Sequence, residues 1–128
     1  MNYLIDTHAF LWIAANDSKL SNKVRALFLD SENLLFLSMA SIWEMAIKIS
    51  LKKLSIGQSL KDFLQMNLGS NDIEILNIKV THILLLENLQ FYHRDPFDRL
   101  IISQSISENI PIISADKAFD FYPIRRIW

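Results

Sequence analysis

The chain contains no cysteine, and its 128 residues include only two glycines, Gly57 and Gly69. Without cysteine there is no disulfide framework, no thiolate zinc site and no cysteine nucleophile. Two isolated glycines cannot write a GxGxxG or a GxxxxGK[ST] loop, so the glycine-rich phosphate cradles are excluded too. Charge of one sign is also missing. Thirteen Lys+Arg against fourteen Asp+Glu leave a net charge of −1 at pH 7, which excludes a polybasic binder. That balance still permits a nucleic-acid enzyme, because an acidic site can conceal a basic surround. The N-terminus has no basic segment followed by a long apolar stretch. The most apolar region, 34–51, is interrupted by Ser38, Ser41, Glu44 and Lys48. Neither a signal peptide nor a membrane span is expected, and the plain reading is a soluble, cytoplasmic protein. His8, His82 and His93 form no i,i+4 pair and no HExxH, and no GxSxG elbow exists, which argues against zinc hydrolysis and serine–histidine chemistry.

What is present is a globule's composition, 51% hydrophobic and 21% charged, at a length that fits a single domain over residues 1–128. A mean hydropathy of +0.19 predicts an apolar surface patch that a partner covers. Short apolar runs at 2–5, 34–37, 73–78, 111–114 and 124–127 read as strands. Helical spacing predicts helices over 7–15, from Ser21 onward, over 39–52 with Ser38 as cap, from Leu60 to a stop at Gly69, over 80–89, from Asp95 to about Asn109, and over 117–121. Strands alternating with helices predict an α/β fold of three layers, α/β/α, with a central parallel sheet.

In such sheets the site lies beyond the carboxyl ends of the strands. Asp6 follows the first strand and Asp116 the fourth, while the helix carrying Glu44 starts at the end of the second. Each acid also has an ordinary structural explanation. Asp6 and Asp116 read as N-caps, and Asp95 reads as a cap with Pro96 at N1 and Asp98 at N3, as in a capping box. Glu44 has an apolar strip of Ala40, Ile47 and Leu51 as helical neighbours, with Lys48 at i+4 for a salt bridge. Together these carboxylates would repel one another unless a hard divalent cation neutralised them. Oxygen-only donors select Mg²⁺ or Mn²⁺ over zinc, and a water kept by such a cation is a candidate nucleophile for phosphoryl transfer. Removing Asp6, Glu44, Asp98 and Asp116 from the fourteen acids leaves ten against thirteen bases, or +3. Candidate phosphate contacts are Lys48, Lys52, Lys53, Arg94, Arg99, Arg125 and Arg126. The basic groove shows few obvious aromatics and reads no base code.

Four segments carry a resemblance over nearly the whole chain. They are Leu4-Ile5-Asp6-Thr7-His8, Ser41-Ile42-Trp43-Glu44 with Lys48, the run from His93 through Arg94-Asp95-Pro96-Phe97-Asp98 to Leu100, and Ser114-Ala115-Asp116-Lys117-Ala118-Phe119. In this order the chain resembles PIN-domain proteins, specifically the VapC-type toxin ribonucleases of toxin–antitoxin pairs. The resemblance implies a parallel sheet sandwiched by helices and Mg²⁺- or Mn²⁺-dependent cleavage of RNA. It places the metal-binding, catalytic acids on Asp6, Glu44, Asp98 and Asp116, choosing Asp98 over Asp95, with Thr7 and Ser114 as supporting hydroxyls. It also implies a homodimer and a cognate antitoxin as partner.

Three rivals stand beside this reading. A haloacid-dehalogenase-like phosphatase needs a second Asp two residues after the first, where this chain has His8. A receiver-like or degenerate, non-catalytic module would lack the acid arrangement. A PIN-type RNA-processing nuclease without an antitoxin shares every motif.

Overall fold

β1 (Asn2–Ile5) buries Tyr3, Leu4 and Ile5 in succession. A strand buried on both faces belongs in the middle of a sheet that is covered on two sides. The computed structural model, which describes residues 1–128, has that arrangement. The chain continues through α1 (Thr7–Ala14), α2 (Asn22–Leu29), β2 (Leu34–Ser38), α3 (Met39–Ser50), α4 (Leu60–Ser70), β3 (Ile73–Leu76) and α5 (Val80–Leu86). It ends with α6 (Pro96–Glu108), β4 (Ile112–Ile113), a 3₁₀ turn (Lys117–Phe121) and β5 (Arg126–Ile127). All strand pairs are parallel, in the order β3-β2-β1-β4-β5.

Alternation along the strands divides the core. Tyr3, Ile5, Leu35, Leu37 and Ile73 pack with Phe10, Val24, Met45 and Phe63 from α1, α2, α3 and α4. Leu4 and Ile112 pack with Leu100, Ile101 and Ile102 of α6 and with Phe119. Burying each such side chain fully stabilises the fold by about 2 kcal/mol, so the two helical layers hold the sheet from both sides. The three-layer parallel α/β architecture expected from the sequence is therefore present. No helix is long and apolar enough to cross a membrane.

Some boundaries differ from expectation. α4 runs past Gly69 to Ser70, because the chain reverses only at Asp72, which takes the left-handed conformation at φ 51°. α5 stops at Leu86 instead of residue 89. β5 is confined to Arg126–Ile127 because the Ile124 N–H is spent on Tyr122 O at 2.7 Å, a tight turn incompatible with a ladder. The strand order reverses around β1. The chain leaves β1 toward β2 on one side and returns to its other side only at β4. That reversal opens a crevice at the carboxyl edge between β1 and β4, where ligands of such sheets bind.

Candidate metal centre

Asp6 is the residue after β1 and the N-cap of α1. Its Oδ1 accepts the Ala9 N–H at 2.7 Å, so one oxygen is fixed by the helix while the other takes no backbone hydrogen bond. The side chain is buried. Burial pushes its pKa above the usual carboxylate range, against the lowering effect of the Ser114 hydroxyl and the Ala9 N–H, and the nearby Asp116 adds to the rise.

Glu44 sits on the buried face of α3 and is only 2% exposed. The Thr7 hydroxyl donates to its Oε1 at 2.7 Å and is hydrogen-bonded to the Ser41 hydroxyl at 2.8 Å. Lys48, one turn on, places Nζ 2.7 Å from Oε2. That hydrogen bond raises the Lys48 pKa.

α6 starts with Asp95, whose Oδ1 accepts the N–H groups of Phe97 at 2.8 Å and Asp98 at 3.0 Å. Asp95 is thus the cap, as the sequence indicated. The reciprocal half of a capping box is not made, however. The Asp95 N–H goes to His93 Nδ1 at 3.2 Å, which leaves the Asp98 carboxylate free of the helix end. Replacing Asp95 by Ala should cost about 1 kcal/mol of stability, read as a lower urea midpoint at unchanged m-value.

Because Nδ1 of His93 is an acceptor, the proton of the neutral ring lies on Nε2. From there it reaches Asp116 Oδ2 at 2.9 Å and Asp98 Oδ2 at 3.2 Å. Asp116 caps the 3₁₀ turn through Oδ1, which accepts the Ala118 N–H at 2.9 Å. Ligand atoms of His93, Asp98 and Asp116 all lie within 4.8 Å of one another. Asp98 is pushed up to about 8, first by burial and then by repulsion from Asp95, Glu44, Asp6 and Asp116. The ligand group brings Asp98 and Asp116 together with His93, while Asp6 and Glu44 lie outside it and act on Asp98 through their charge.

That neighbourhood suits a hard divalent cation. Its acids offer carboxylate oxygens, with Lys48 paired to Glu44 and the Nε2–H of His93 shared between Asp98 and Asp116. His93, the first residue of the run that ends at Leu100, joins two of the acids. Its position is set by contacts far along the chain: its N–H donates to the Tyr122 hydroxyl at 2.8 Å, which in turn donates to Gln90 O at 2.7 Å.

Three of the suggested phosphate contacts are committed elsewhere. Arg99 is buried, and its guanidinium donates to Leu89 O at 3.1 Å, Gln90 O at 2.9 Å and His93 O at 3.4 Å. Arg126 binds both oxygens of Asp120 and the Ser114 carbonyl, and Lys48 is held by Glu44. Lys52, Lys53, Arg94 and Arg125 remain exposed and make no ion pair.

A family model described as the PIN domain matches residues 3–124. The chain belongs to the PIN domain family. Solved structures similar to this PIN domain include VapBC2 from Rickettsia felis bound to a DNA fragment from its promoter. That match has a TM-score of 0.75 at 17% identity and covers 99% of this chain and 98% of the other. DNA-bound VapBC from Salmonella typhimurium aligns with a TM-score of 0.71 at 15% identity, covering 99% and 97%. FitAcB from Neisseria gonorrhoeae aligns at 0.65 and 16% identity, covering 98% and 96%. At these identities the likeness is one of fold. No curated protein sequence matches the chain.

Proposed function

We propose that this PIN domain is a metal-dependent endoribonuclease and the toxin of a toxin–antitoxin pair, with Asp6, Glu44, Asp98 and Asp116 holding Mg²⁺ or Mn²⁺. The observation that carries the reading is Asp98, which lies with Asp116 and His93 at the carboxyl edge of a parallel sheet and is repelled by Asp95, Glu44, Asp6 and Asp116. When bound, the cation would neutralise this cluster, polarise a phosphodiester and make a water acidic enough to attack it.

The chain's own residues prepare that chemistry. The caps made by Asp6 and Asp116 fix each carboxylate through one oxygen, so little freedom is lost when the other is engaged. Thr7 and Lys48 hold both oxygens of Glu44 in one orientation. His93 keeps a proton at Nε2 between Asp98 and Asp116 and relieves their repulsion at the mouth. The unpaired Lys52, Lys53, Arg94 and Arg125 supply positive charge for an RNA backbone.

The partner reading draws on apolar surface. A cleft of about 440 Å³ between α1 and α4 is lined by Leu11, Trp12, Leu54, Ile56, Phe63 and Met66, and it suits an apolar segment of an antitoxin. Val80, Ile83 and Leu84 expose an aliphatic stripe on α5 that suits a second copy of the chain. The fold likeness to the VapBC and FitAB proteins supports the toxin reading over a free-standing RNA-processing enzyme.

The test is cleavage of labelled RNA by the purified protein in Mg²⁺, Mn²⁺ or EDTA. Cutting should occur with either cation, stop in EDTA and return when Mg²⁺ is restored. A folded protein that binds Mn²⁺ but cuts no RNA in a total pool would overturn the nuclease and leave a metal-binding interaction domain.

A further inference from the structure

Resting on the nuclease reading, we propose that Tyr92 and Phe121, with Phe91 beside them, form a stacking platform for unpaired nucleobases next to the phosphate held at the acid cluster. The three rings are 55%, 68% and 78% exposed, a large apolar area for solvent to cover. Tyr92 and Phe121 lie 5.6 Å apart between centroids at an interplanar angle of 32°, so their planes are only modestly splayed. The buried Tyr122 supports Tyr92 edge-on at 5.3 Å, and the guanidinium of Arg99 covers Phe91 at 3.8 Å.

The platform is continuous with the candidate site. Tyr92 immediately precedes His93, and Phe121 ends the turn that Asp116 caps. The two segments that carry these rings are therefore the ones that His93 and Asp116 join at 2.9 Å. An RNA strand with a phosphate at the carboxylates would bring its neighbouring bases over the rings.

The patch is also rigid before anything binds. Arg99 ties down the carbonyls of Leu89, Gln90 and His93, and the Tyr122 hydroxyl holds Gln90 O. Rings fixed in advance lose little freedom on stacking.

Surface chemistry favours a nucleobase over a protein segment. Every exposed large apolar residue in segments 87–95 and 117–122 is aromatic, whereas the exposed stripe of α5 is aliphatic. Aromatic faces accept any base, and the flanking Arg94 and Lys117 are exposed and make no ion pair, so they suit the connecting phosphates. A paired base cannot reach such a platform, so the expected substrate is single-stranded at the site of cleavage.

The test uses an unstructured RNA octamer carrying one 2-aminopurine, titrated in Ca²⁺ at several salt concentrations. Binding should quench the 2-aminopurine. Tyr92→Ala and Phe121→Ala should each weaken binding by roughly tenfold and remove most of the quench. The slope of log affinity against log salt should stay unchanged in both, because no phosphate contact is lost. Tyr92→Phe should bind like the wild type, and Lys117→Gln should reduce the salt slope by about one. Unchanged Mn²⁺ affinity in Tyr92→Ala would show that the loop still carries His93 correctly.

If the wild type binds and cuts RNA while both alanine variants bind with wild-type affinity and quench, the platform is wrong and the nuclease reading stands. The platform is equally wrong if the variants keep RNA affinity but alter self-association in sedimentation, since the rings would then cover a second copy. A wild type that neither binds nor cuts RNA removes both readings together.

Discussion

Asp98→Asn should reduce RNA cleavage at least about 100-fold and, in the absence of metal, make the protein more stable. The two effects have one origin. In the unfolded chain Asp98 ionises near 3.8, whereas burial and four neighbouring carboxylates hold its proton to about 8 in the folded, metal-free protein. Between those values the folded state binds more protons than the unfolded state, so stability falls as pH rises across that window. Below the window both states are protonated and the penalty vanishes. Above it the penalty is complete.

An asparagine does not titrate, so its advantage over the wild type should grow from about pH 4 to about pH 8. Even half of that rise from 3.8 to about 8 corresponds to about 2.7 kcal/mol. For a chain of this length that is a Tm gain of roughly 10 °C in EDTA at the upper end of the window. Mg²⁺ at a hundred times Kd should offset about 2.7 kcal/mol of that advantage, since it stabilises the wild type by that amount and adds nothing to a variant that has lost the site. Thermal melts of both proteins, in EDTA and Mg²⁺, at three pH values check all of this. A variant that melts no higher than the wild type at high pH in EDTA would mean that the acid cluster is already neutralised within the protein.

Arg99→Ala should be the more damaging change for the fold, costing on the order of 4 kcal/mol. The side chain is buried, and its guanidinium is the partner of three backbone carbonyls on the loop leading to His93. Hydrogen bonds to a charged donor contribute about 1.5–3 kcal/mol each, and alanine would leave all three acceptors without this donor. Arg99→Lys should recover less than half of the loss, because a single ammonium cannot span the carbonyls that the planar fork reaches together. Both variants should also bind Mn²⁺ at least about tenfold more weakly, since His93 is displaced with the loop. Urea unfolding beside Mn²⁺ titration separates the two losses. A lysine variant as stable as the wild type would show that charge alone, and not the fork, holds the loop.

Arg99 also marks where sequence reasoning stops. In the sequence it reads as a free cation, because charge is visible there and pairing is not. The same holds for Arg126, whose partners Asp120 and Ser114 O come together only through the β4–β5 pairing. Features that depend on local chemistry are legible: Asp6 after an apolar run, Ser38 and Asp95 as caps, and Glu44 on an apolar helix face. The strand alternation that sorts Leu4 from Ile5 is enough to expect a sheet covered on both sides. Its neighbours Arg94 and Asp95 put His93 at the rim of the site, but its contact with Asp116 is not legible, because it depends on an irregular loop shaped by Arg99 and Tyr122. The pairing of Tyr92 with Phe121 is hidden for the same reason, since the two rings are distant in sequence and meet only through that loop.

The placement of β1 at the centre of the sheet has a consequence for how the protein comes into being. Leu4 and Ile5 find Ile112 and Ile113 only after residues 6–111 have been made. Pairings across such a span are slow to form, and here none of the intervening chain can substitute for them. Asp6 and Asp116 cannot meet on a nascent chain that still lacks β4. A ribosome adding about 5–20 residues per second therefore carries a product without its acid cluster for several seconds between making β1 and making β4. Chains cut short by stalling or proteolysis before β4 would carry Asp6, Glu44 and Asp98 but never assemble them with Asp116.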